Sequence, residues 1–197
     1  MIVLASAAEP DVELVAIDPH AGNDRGPQEI SGFQDEAAQD HDVFLANLAA
    51  AGVGDRVRHV RKFSDDALPD VPGPIDLLYI DGAHRYGPAR ADIVAWGAKV
   101  VDGGDLLIHD SFSSVGVTLA LVTTLFAGTR FRYIGRSQSM THYRREDLGP
   151  GDRLTNLGRQ AAQLPWFARN VVIKLLIVAH LGRFTRLLGH REATWPY

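Results

Sequence analysis

The sequence predicts an α/β protein with a Rossmann-like, mostly parallel sheet, helices on both faces of that sheet and a closing antiparallel hairpin. Three observations support this fold class. Short apolar runs alternate with helical patterns along the 197 residues, and acidic residues follow three of those runs. The composition, with 46% hydrophobic and 22% charged residues, is that of a globular protein.

The strands and helices can be placed from their apolar spacing. Strand patterns cover residues 14–17, 56–60, 75–80, 106–108, 131–134 and 140–143, and the last two are expected to form the hairpin around residues 136–139. Helical patterns cover residues 35–51, 88–101, 115–126 and 165–188, and residues 2–8 have the character of the end of a helix. Strands that alternate with helices predict parallel pairing.

The beginning of the chain leaves two interpretations open. A nucleotide-binding Rossmann unit opens with a strand, a glycine-rich turn and a helix, and no glycine near the start of this sequence forms such a turn. Either the strand that ends at Asp18 is the second of the unit, with the first strand upstream of Met1, or the fold begins here with a different strand in first place. We favour the first interpretation.

Three acids, Asp18, Asp81 and Asp110, each follow a predicted strand. Ligands bind at the carboxyl ends of the strands in parallel sheets. A single acid there can equally cap a helix or form a turn, but three at one edge indicate a shared site. Asp18 is placed to accept hydrogen bonds from both hydroxyls of an adenosine ribose, which NAD and S-adenosylmethionine both carry.

The segment Asp81-Gly82-Ala83-His84 is the most informative stretch. Gly82 permits a tight turn after a buried strand, and His84 follows one turn later. A carboxylate and an imidazole at this spacing can hold a metal ion or accept a proton from a hydroxyl; the alternative is an ordinary exposed loop histidine. Asp110 on the neighbouring strand could share a divalent ion with Asp81, and oxygen ligands suit Mg²⁺, Ca²⁺ or Mn²⁺.

The turn Phe63-Ser64-Asp65 follows another predicted strand. In many nucleoside sites such a turn holds the adenine through an apolar contact and a hydrogen bond. The alternative is that Ser64 or Asp66 caps a short helix.

Taken in order, these motifs resemble the class I S-adenosylmethionine-dependent methyltransferases, in the branch of macrocin-type sugar O-methyltransferases and cephalosporin-hydroxylase-like proteins. The matching segments are Ala16-Ile17-Asp18-Pro19, Tyr79-Ile80-Asp81-Gly82-Ala83-His84-Arg85-Tyr86, Asp92, Trp96, Gly103-Gly104 and Ile108-His109-Asp110, and they span residues 1–146. The resemblance implies methyl transfer from S-adenosylmethionine to a hydroxyl of a sugar or small natural product, assisted by a divalent ion such as Mg²⁺.

The resemblance also implies roles by position. Asp18, Phe63, Ser64, Asp65 and Asp81 would contact the cofactor, and His84 would be the catalytic base. The metal ligands would be Asp81, Asp110 and Ser111, although relatives often have a second acid or amide at the place of Ser111.

The glycine-rich motif that holds the methionine part of the cofactor is absent from the sequence. A rival hypothesis is therefore a truncated or degenerate methyltransferase fold that acts as a non-catalytic binding or assembly module. A third, an NAD-dependent dehydrogenase, would leave Asp81, His84 and Asp110 unexplained.

The charge distribution indicates a boundary at Gly149-Pro150-Gly151. Residues 1–148 form the predicted methyltransferase domain and residues 149–197 a basic helical extension; the part from Gly151 onward carries a charge of +5 and the rest −9. The net charge of −4 disfavours a nucleic-acid partner. We expect the extension to pack on the body or on a second subunit in a homo-oligomer, or to lie on a membrane surface. The absence of cysteine excludes disulfides and fits a cytoplasmic protein.

Overall fold

The computed structural model describes residues 1–21 and 34–191, with the side chains of residues 34–38 left out. It divides the chain into two compact units, Met1–Pro72 and Gly73–Tyr197. Each unit has its own sheet and its own cluster of buried apolar side chains.

The first unit contains helices α1 (Ile2–Ala7) and α2 (Gln34–Ala50) and strands β1 (Leu14–Ile17) and β2 (Val57–Val60), with short 3₁₀ turns at Gly54–Arg56 and Leu68–Asp70. The two strands are parallel. The buried side chains that pack between strands and helices are Ala5, Ala16, Leu48, Val53 and Val57. The guanidinium of Arg56 donates to the carbonyls of Ala5, Ala8 and Glu9, and so caps the carboxyl end of α1.

The second unit contains β3 (Ile75–Ile80), α3 (Tyr86–Gly97), β4 (Val100–Ile108), α4 (Val115–Thr124), β5 (Phe131–Ser137), β6 (Met140–Arg145), α5 (Pro150–Ala161), α6 (Leu164–Val178) and a 3₁₀ segment (Gly182–Leu188). Its sheet has the order β3-β4-β6-β5. Strands β3 and β4 are parallel, and β6 is antiparallel to both of its neighbours. The prediction of an α/β fold with a closing hairpin is confirmed.

The register between β3 and β4 fixes which residues reach the carboxyl edge of this sheet. Ile80 lies opposite Ile108, and the backbone N–H of His109 donates to the carbonyl of Ile80 over 2.9 Å. Ile108 is 1% exposed, so this pair ends inside the apolar core. The next residues along each strand, Asp81 and His109, therefore emerge side by side at the same edge.

The predicted helix over residues 88–101 ends earlier than expected, at Gly97, and residues 100–108 form one long strand. The glycines that the sequence suggested as a helix stop lie inside that strand. A Cβ at Gly104 would come within 2.9 Å of the Asp76 carbonyl and of the Val101 carbonyl. Glycine is therefore required there by the close approach of the backbones, at a point where the register of β3 against β4 shifts.

The predicted helix over residues 165–188 is divided, because α6 ends at Val178 and the chain then forms the 3₁₀ segment.

Helix α5 was not predicted. It is joined to the sheet through Asn156, whose side chain accepts from the Tyr133 N–H over 2.6 Å and donates to the Phe131 carbonyl over 3.1 Å. Trp166 and Phe167 of α6 pack against the core of the unit. Both C-terminal helices thus contact the body, which was one of the two packing arrangements expected.

Candidate active site

Four side chains form a connected cluster where β3 and β4 end. The Nε2 atom of His84 lies 2.7 Å from Asp110 Oδ2. The Nδ1 atom of His109 lies 3.1 Å from Asp81 Oδ1 and 3.5 Å from Asp110 Oδ2. The structure thus brings together Asp81, His84 and Asp110, as the strand order predicted, and adds His109 to them.

The turn that carries Asp110 has an unusual backbone. Asp110 has φ of 53° and Phe112 has φ of 58°. Both values lie in the left-handed region, which residues other than glycine seldom adopt. Two backbone hydrogen bonds hold the turn, because the N–H groups of Ser113 and Ser114 both donate to the Asp110 carbonyl. Lys174 of α6 adds a third, from its Nζ to the Ser113 carbonyl over 2.8 Å. Such strain is typical of functional turns.

The Asp110 carboxylate is 10% exposed and lies among donors. The hydrogen bond from His84 lowers the pKa of Asp110 below its ordinary value, against the opposing effect of burial, and the charge of His109 acts in the same direction as His84. Asp110 is therefore ionised at neutral pH. Because a carboxylate can only accept hydrogen bonds, the Nε2 atom of His84 carries the proton between them.

Tyr79 extends the cluster on the β3 side. Its hydroxyl donates to Asp81 Oδ2 over 3.0 Å. Burial raises the pKa of Tyr79, and the nearby charge of Asp81 raises it further. The phenol thus stays protonated and fixes the orientation of the Asp81 carboxylate.

The donor atoms of Asp81, His109 and Asp110 all lie within 4.8 Å of one another, a spacing that suits one divalent ion. The Nδ1 atom of His109 is buried and has no aligned hydrogen-bond partner in the described part of the chain, despite its short distance to Asp81. A metal ion would satisfy that atom. An imidazole beside two carboxylates suits Mn²⁺ and other transition ions better than an all-oxygen set would.

Ser111 does not join this group. Its side chain is fully buried, its hydroxyl donates to the Ile108 carbonyl over 2.8 Å, and its Oγ lies 2.7 Å from Thr141 Oγ1. The Ser111 oxygen is thus bonded within the core, and its role as a metal ligand stays a prediction. The third donor atom beside those of Asp81 and Asp110 belongs to His109.

The sequence interpretation missed His109 because side chains normally alternate along a strand, which would send His109 and Asp110 to opposite sides. The left-handed backbone of Asp110 breaks that alternation. Tyr79 was missed although a signal was present, since it lies two residues before Asp81 and therefore on the same side of β3.

The loop that carries His84 is fixed by the start of α4. Ser114 Oγ donates to the His84 carbonyl over 3.1 Å. A Cβ at Gly116 would lie 2.2 Å from that carbonyl oxygen and 2.7 Å from the Tyr86 nitrogen. Only glycine lets the helix approach the loop this closely, so Gly116 helps to hold His84 against Asp110.

Asp18 lies in the first unit, directly after β1, and its side chain is 61% exposed. One carboxylate oxygen accepts the backbone N–H of His20 over 2.7 Å. His20 has φ of 45° and its side chain is 10% exposed. The exposed remainder of the carboxylate is able to accept hydrogen bonds from a ligand.

Three imidazoles pack together beside Asp18. The ring centroids of His20, His41 and His59 are 5.1 to 5.2 Å apart, and Phe44 lies 5.0 Å from His59. Burial lowers the pKa of His59, and the charges of the two other histidines lower it further. Near neutral pH His59 is therefore a flat, uncharged ring. This cluster was not predicted because its members are widely separated in the sequence.

The turn Phe63-Ser64-Asp65 lies after β2. The Phe63 side chain is 52% exposed, and the carbonyls of Phe63 and Ser64 both accept the Ala67 N–H. The short 3₁₀ helix that follows has Ala67 at its N-cap and no side-chain cap hydrogen bond.

Parallel strands that end in acids, followed by a closing antiparallel hairpin, define a Rossmann-like domain. The family model for a methyltransferase domain matches residues 1–111. The chain belongs to this methyltransferase-domain family, and the resemblance to class I methyltransferases is confirmed. No curated protein matches the chain.

Two solved structures are similar in fold. The O-methyltransferase NovP is 18% identical, with a TM-score of 0.53 over 73% of this chain and 64% of NovP. The cofactor-bound Rv0187 from MTB is 20% identical, with a TM-score of 0.50 over 74% of this chain and 67% of Rv0187. The chain thus spans less than two thirds of the length of NovP.

Proposed function

We propose that this protein is an S-adenosylmethionine-dependent O-methyltransferase that acts on a hydroxyl of a sugar or small natural product. The observation that carries the proposal is the pair His84 Nε2 to Asp110 Oδ2, at 2.7 Å, at the carboxyl edge of the sheet in a methyltransferase-domain chain. A histidine held by a buried carboxylate is suited to remove a proton from an alcohol.

His84 is assigned as the general base. With Nε2 bonded to Asp110, its Nδ1 lone pair accepts the hydroxyl proton. The positive imidazolium that results is stabilised by the Asp110 carboxylate, which stays ionised, as in the histidine–aspartate pairs of hydrolases. Gly116 and Ser114 hold the loop, so the ring needs little reorganisation as the proton moves.

The bound cofactor supplies an electrophilic methyl group on a sulfonium. When the cofactor is bound, His84 would take up the hydroxyl proton, and the methyl group would pass to the hydroxyl oxygen to give a methyl ether and S-adenosylhomocysteine. The contribution of the chain is then mainly alignment of donor and acceptor.

The first unit is assigned to the adenosine part of the cofactor. Asp18 offers an exposed carboxylate for the two ribose hydroxyls. The exposed Phe63 ring offers a flat apolar surface for the adenine, and the neighbouring Ser64 and Asp65 offer polar atoms.

Asp81, His109 and Asp110 would hold a divalent ion, which when bound lowers the pKa of a hydroxyl that it contacts. The same oxygen, Asp110 Oδ2, faces both imidazoles. The ion and the His84 hydrogen bond would therefore share the Asp110 carboxylate. Asp110 would link metal binding to the positioning of His84.

Calorimetric titration of S-adenosylmethionine into the full chain tests the proposal, first in EDTA and then with Mg²⁺ or Mn²⁺. We expect saturable binding that Asp18→Asn weakens and that Asp11→Asn, an exposed acid in the same unit, leaves unchanged. Release of S-adenosylhomocysteine is then measured with a panel of nucleotide sugars, glycosides and phenols. The absence of binding heat would contradict the proposal and favour the non-catalytic module.

A further inference from the structure

The C-terminal segment from Arg153 to Arg191 contains seven basic residues and no acidic one. Four of the basic side chains are used inside the fold: Arg153, Arg159, Arg169 and Lys174 donate to backbone carbonyls. Backbone carbonyls are neutral acceptors, so these hydrogen bonds do not cancel the positive charge of the segment. The other three, Arg183, Arg186 and Arg191, form no ion pair with any described carboxylate and are exposed.

Helix α6 presents an apolar surface to solvent. Val172 is 45% exposed, and Leu175 and Val178 are each 63% exposed. Their spacing of three residues puts them on one side of the helix. The opposite side is anchored to the protein, where Asn170 and Ile173 are fully buried.

The 3₁₀ segment and the residue before it expose apolar side chains of the same kind, and the segment turns back along α6, where the Leu188 carbonyl accepts from Arg169. Leu181 is 41% exposed, Phe184 is 40% exposed and Leu187 is 84% exposed. A 3₁₀ helix has three residues per turn, so side chains three apart lie one above the other. We call the six side chains the apolar strip; its members are Val172, Leu175, Val178, Leu181, Phe184 and Leu187.

The same geometry stacks two arginines beside the strip. Arg183 and Arg186 are three residues apart, each directly before a member of the strip, and the Arg183 guanidinium lies 4.8 Å from the Phe184 ring. With Arg191 and His180 they line an open cavity of about 370 Å³. Three guanidinium groups around one cavity form a receptor for an anion, most strongly for a phosphate, which accepts paired hydrogen bonds.

We propose that the apolar strip and this arginine cavity dock the protein on an anionic phospholipid surface, with a lipid phosphate in the cavity and the strip in the acyl boundary. Apolar side chains flanked by arginines are the usual composition of interfacial helices. A second copy of the chain is a poorer occupant, because a symmetric contact would bring like-charged arginines together.

The orientation follows from the anchored side of α6. By length and composition the helical stretch Pro150–Val178 is apolar enough to cross a membrane, and 11% of its most apolar window is buried. Lys174 nevertheless bonds it to the Ser113 carbonyl of the second unit, and Asn170 and Ile173 on the same side are fully buried. We therefore assign it a position along the surface. This inference is independent of methyl transfer.

Sedimentation of the full chain with phosphatidylcholine vesicles, with and without phosphatidylglycerol, tests this docking. We expect binding only when phosphatidylglycerol is present, and its loss when salt is raised from about 0.1 M to about 1 M, where screening shortens to about 3 Å. Arg183→Gln with Arg186→Gln should weaken binding on the order of tenfold or more. Leu175→Gln with Val178→Gln should weaken it comparably.

The matched controls lie on other helices of the same unit. Arg90→Gln removes an exposed arginine from α3, and Val115→Gln with Leu119→Gln removes exposed apolar side chains from α4; neither should change sedimentation. Circular dichroism checks that every variant is folded. The proposal is overturned by binding that the strip variants leave unchanged, by binding to inorganic phosphate without binding to vesicles, or by strip variants that only convert a dimer to a monomer in light scattering.

Discussion

Two acids at strand ends, one in each unit, have opposite environments. The Asp18 side chain is 61% exposed and bonds to a backbone N–H, whereas the Asp110 side chain is 10% exposed and lies against the rings of His84 and His109. An exposed carboxylate can exchange water for ligand hydroxyls at little cost. A buried one keeps its partners, and its charge acts strongly on them. The difference indicates that Asp18 is suited to binding a ligand and Asp110 to holding the His84 ring in place.

Both acids lie in turns with left-handed backbone, at His20 with φ of 45° and at Asp110 itself with φ of 53°. In the first turn the strain gives the carboxylate a backbone donor. In the second it directs the acid and the preceding histidine to one site. Similar local geometry therefore yields two kinds of site, because the surrounding burial differs.

The largest effect is expected from removal of the base. His84→Ala should lower kcat by about 10² to 10⁴, the usual contribution of a general base, with unchanged affinity for S-adenosylmethionine. The measurement is S-adenosylhomocysteine release at saturating cofactor, beside a calorimetric titration of the same variant.

A matched control exists within the same sheet. His142 Nε2 lies 2.7 Å from Asp105 Oδ1, the same distance as in the His84 pair. His142→Ala removes an equivalent ion pair away from the proposed site and should retain kcat. Equal loss in the two variants would assign the effect to stability and not to proton transfer.

The next effect is on cofactor affinity. Asp18→Ala should raise the Kd for S-adenosylmethionine by about 10-fold to 100-fold, because hydrogen bonds to a charged group contribute about 1.5–3 kcal/mol each. At saturating cofactor its kcat should stay within about twofold of the wild type, in contrast to His84→Ala. A variant of Asp18 that lowers kcat and leaves Kd alone would reverse the roles assigned to the two acids.

The third expected effect is a loss of folding stability that arises at the His84 loop. Gly116→Ala should lower the free energy of unfolding by about 1–3 kcal/mol, as overpacking does, because its Cβ would meet the His84 carbonyl at 2.2 Å. Urea unfolding measures it. Gly87→Ala, where a Cβ has nothing within 4 Å, is the control and should be neutral or slightly stabilising in helix α3. Comparable destabilisation by both would argue against the close approach.

Much of the fold could be predicted from the sequence. The apolar runs over residues 14–17 and 75–80 coincide with β1 and β3, because strands bounded by turn formers have clear ends. The strand–acid order also predicted that Asp81 and Asp110 would meet. Parallel pairing of the strands that carry them makes this a consequence of topology.

Other features depend on tertiary contacts that no local pattern reveals. Residues 100–105 have two glycines and two acids, a weak strand pattern, and become part of β4 through pairing with β3 and β6. Helix α5 has polar residues on its buried side, because Asn156 and Gln160 bond to the sheet. The position of His109 beside Asp81 and Asp110 was not predicted either, and it lies next to the left-handed backbone of Asp110.

The smallest effect is a pH dependence that separates Asp110 from exposed acids. Because the pKa of Asp110 is lowered in the folded protein, its ionised form stabilises the fold. That stability is fully present above the unfolded-state pKa, about 3.9, and is lost as pH falls through the lower folded pKa. Asp110→Asn, which tolerates the left-handed backbone, should therefore show a shallower decline of unfolding free energy below about pH 5 than the wild type, in urea titrations with EDTA.

The His84 hydrogen bond is the largest cause of the lowered pKa of Asp110, so a double-mutant cycle isolates it. On a His84→Ala background, Asp110→Asn should change the pH slope much less than it does in the wild type, since the carboxylate has already lost its main donor. A slope change of the same size on both backgrounds would place the origin of the pKa shift elsewhere in the cluster, with His109 as the remaining imidazole. Asp110 would then act mainly with Asp81 and His109, and the case for His84 as a base held by a carboxylate would fail.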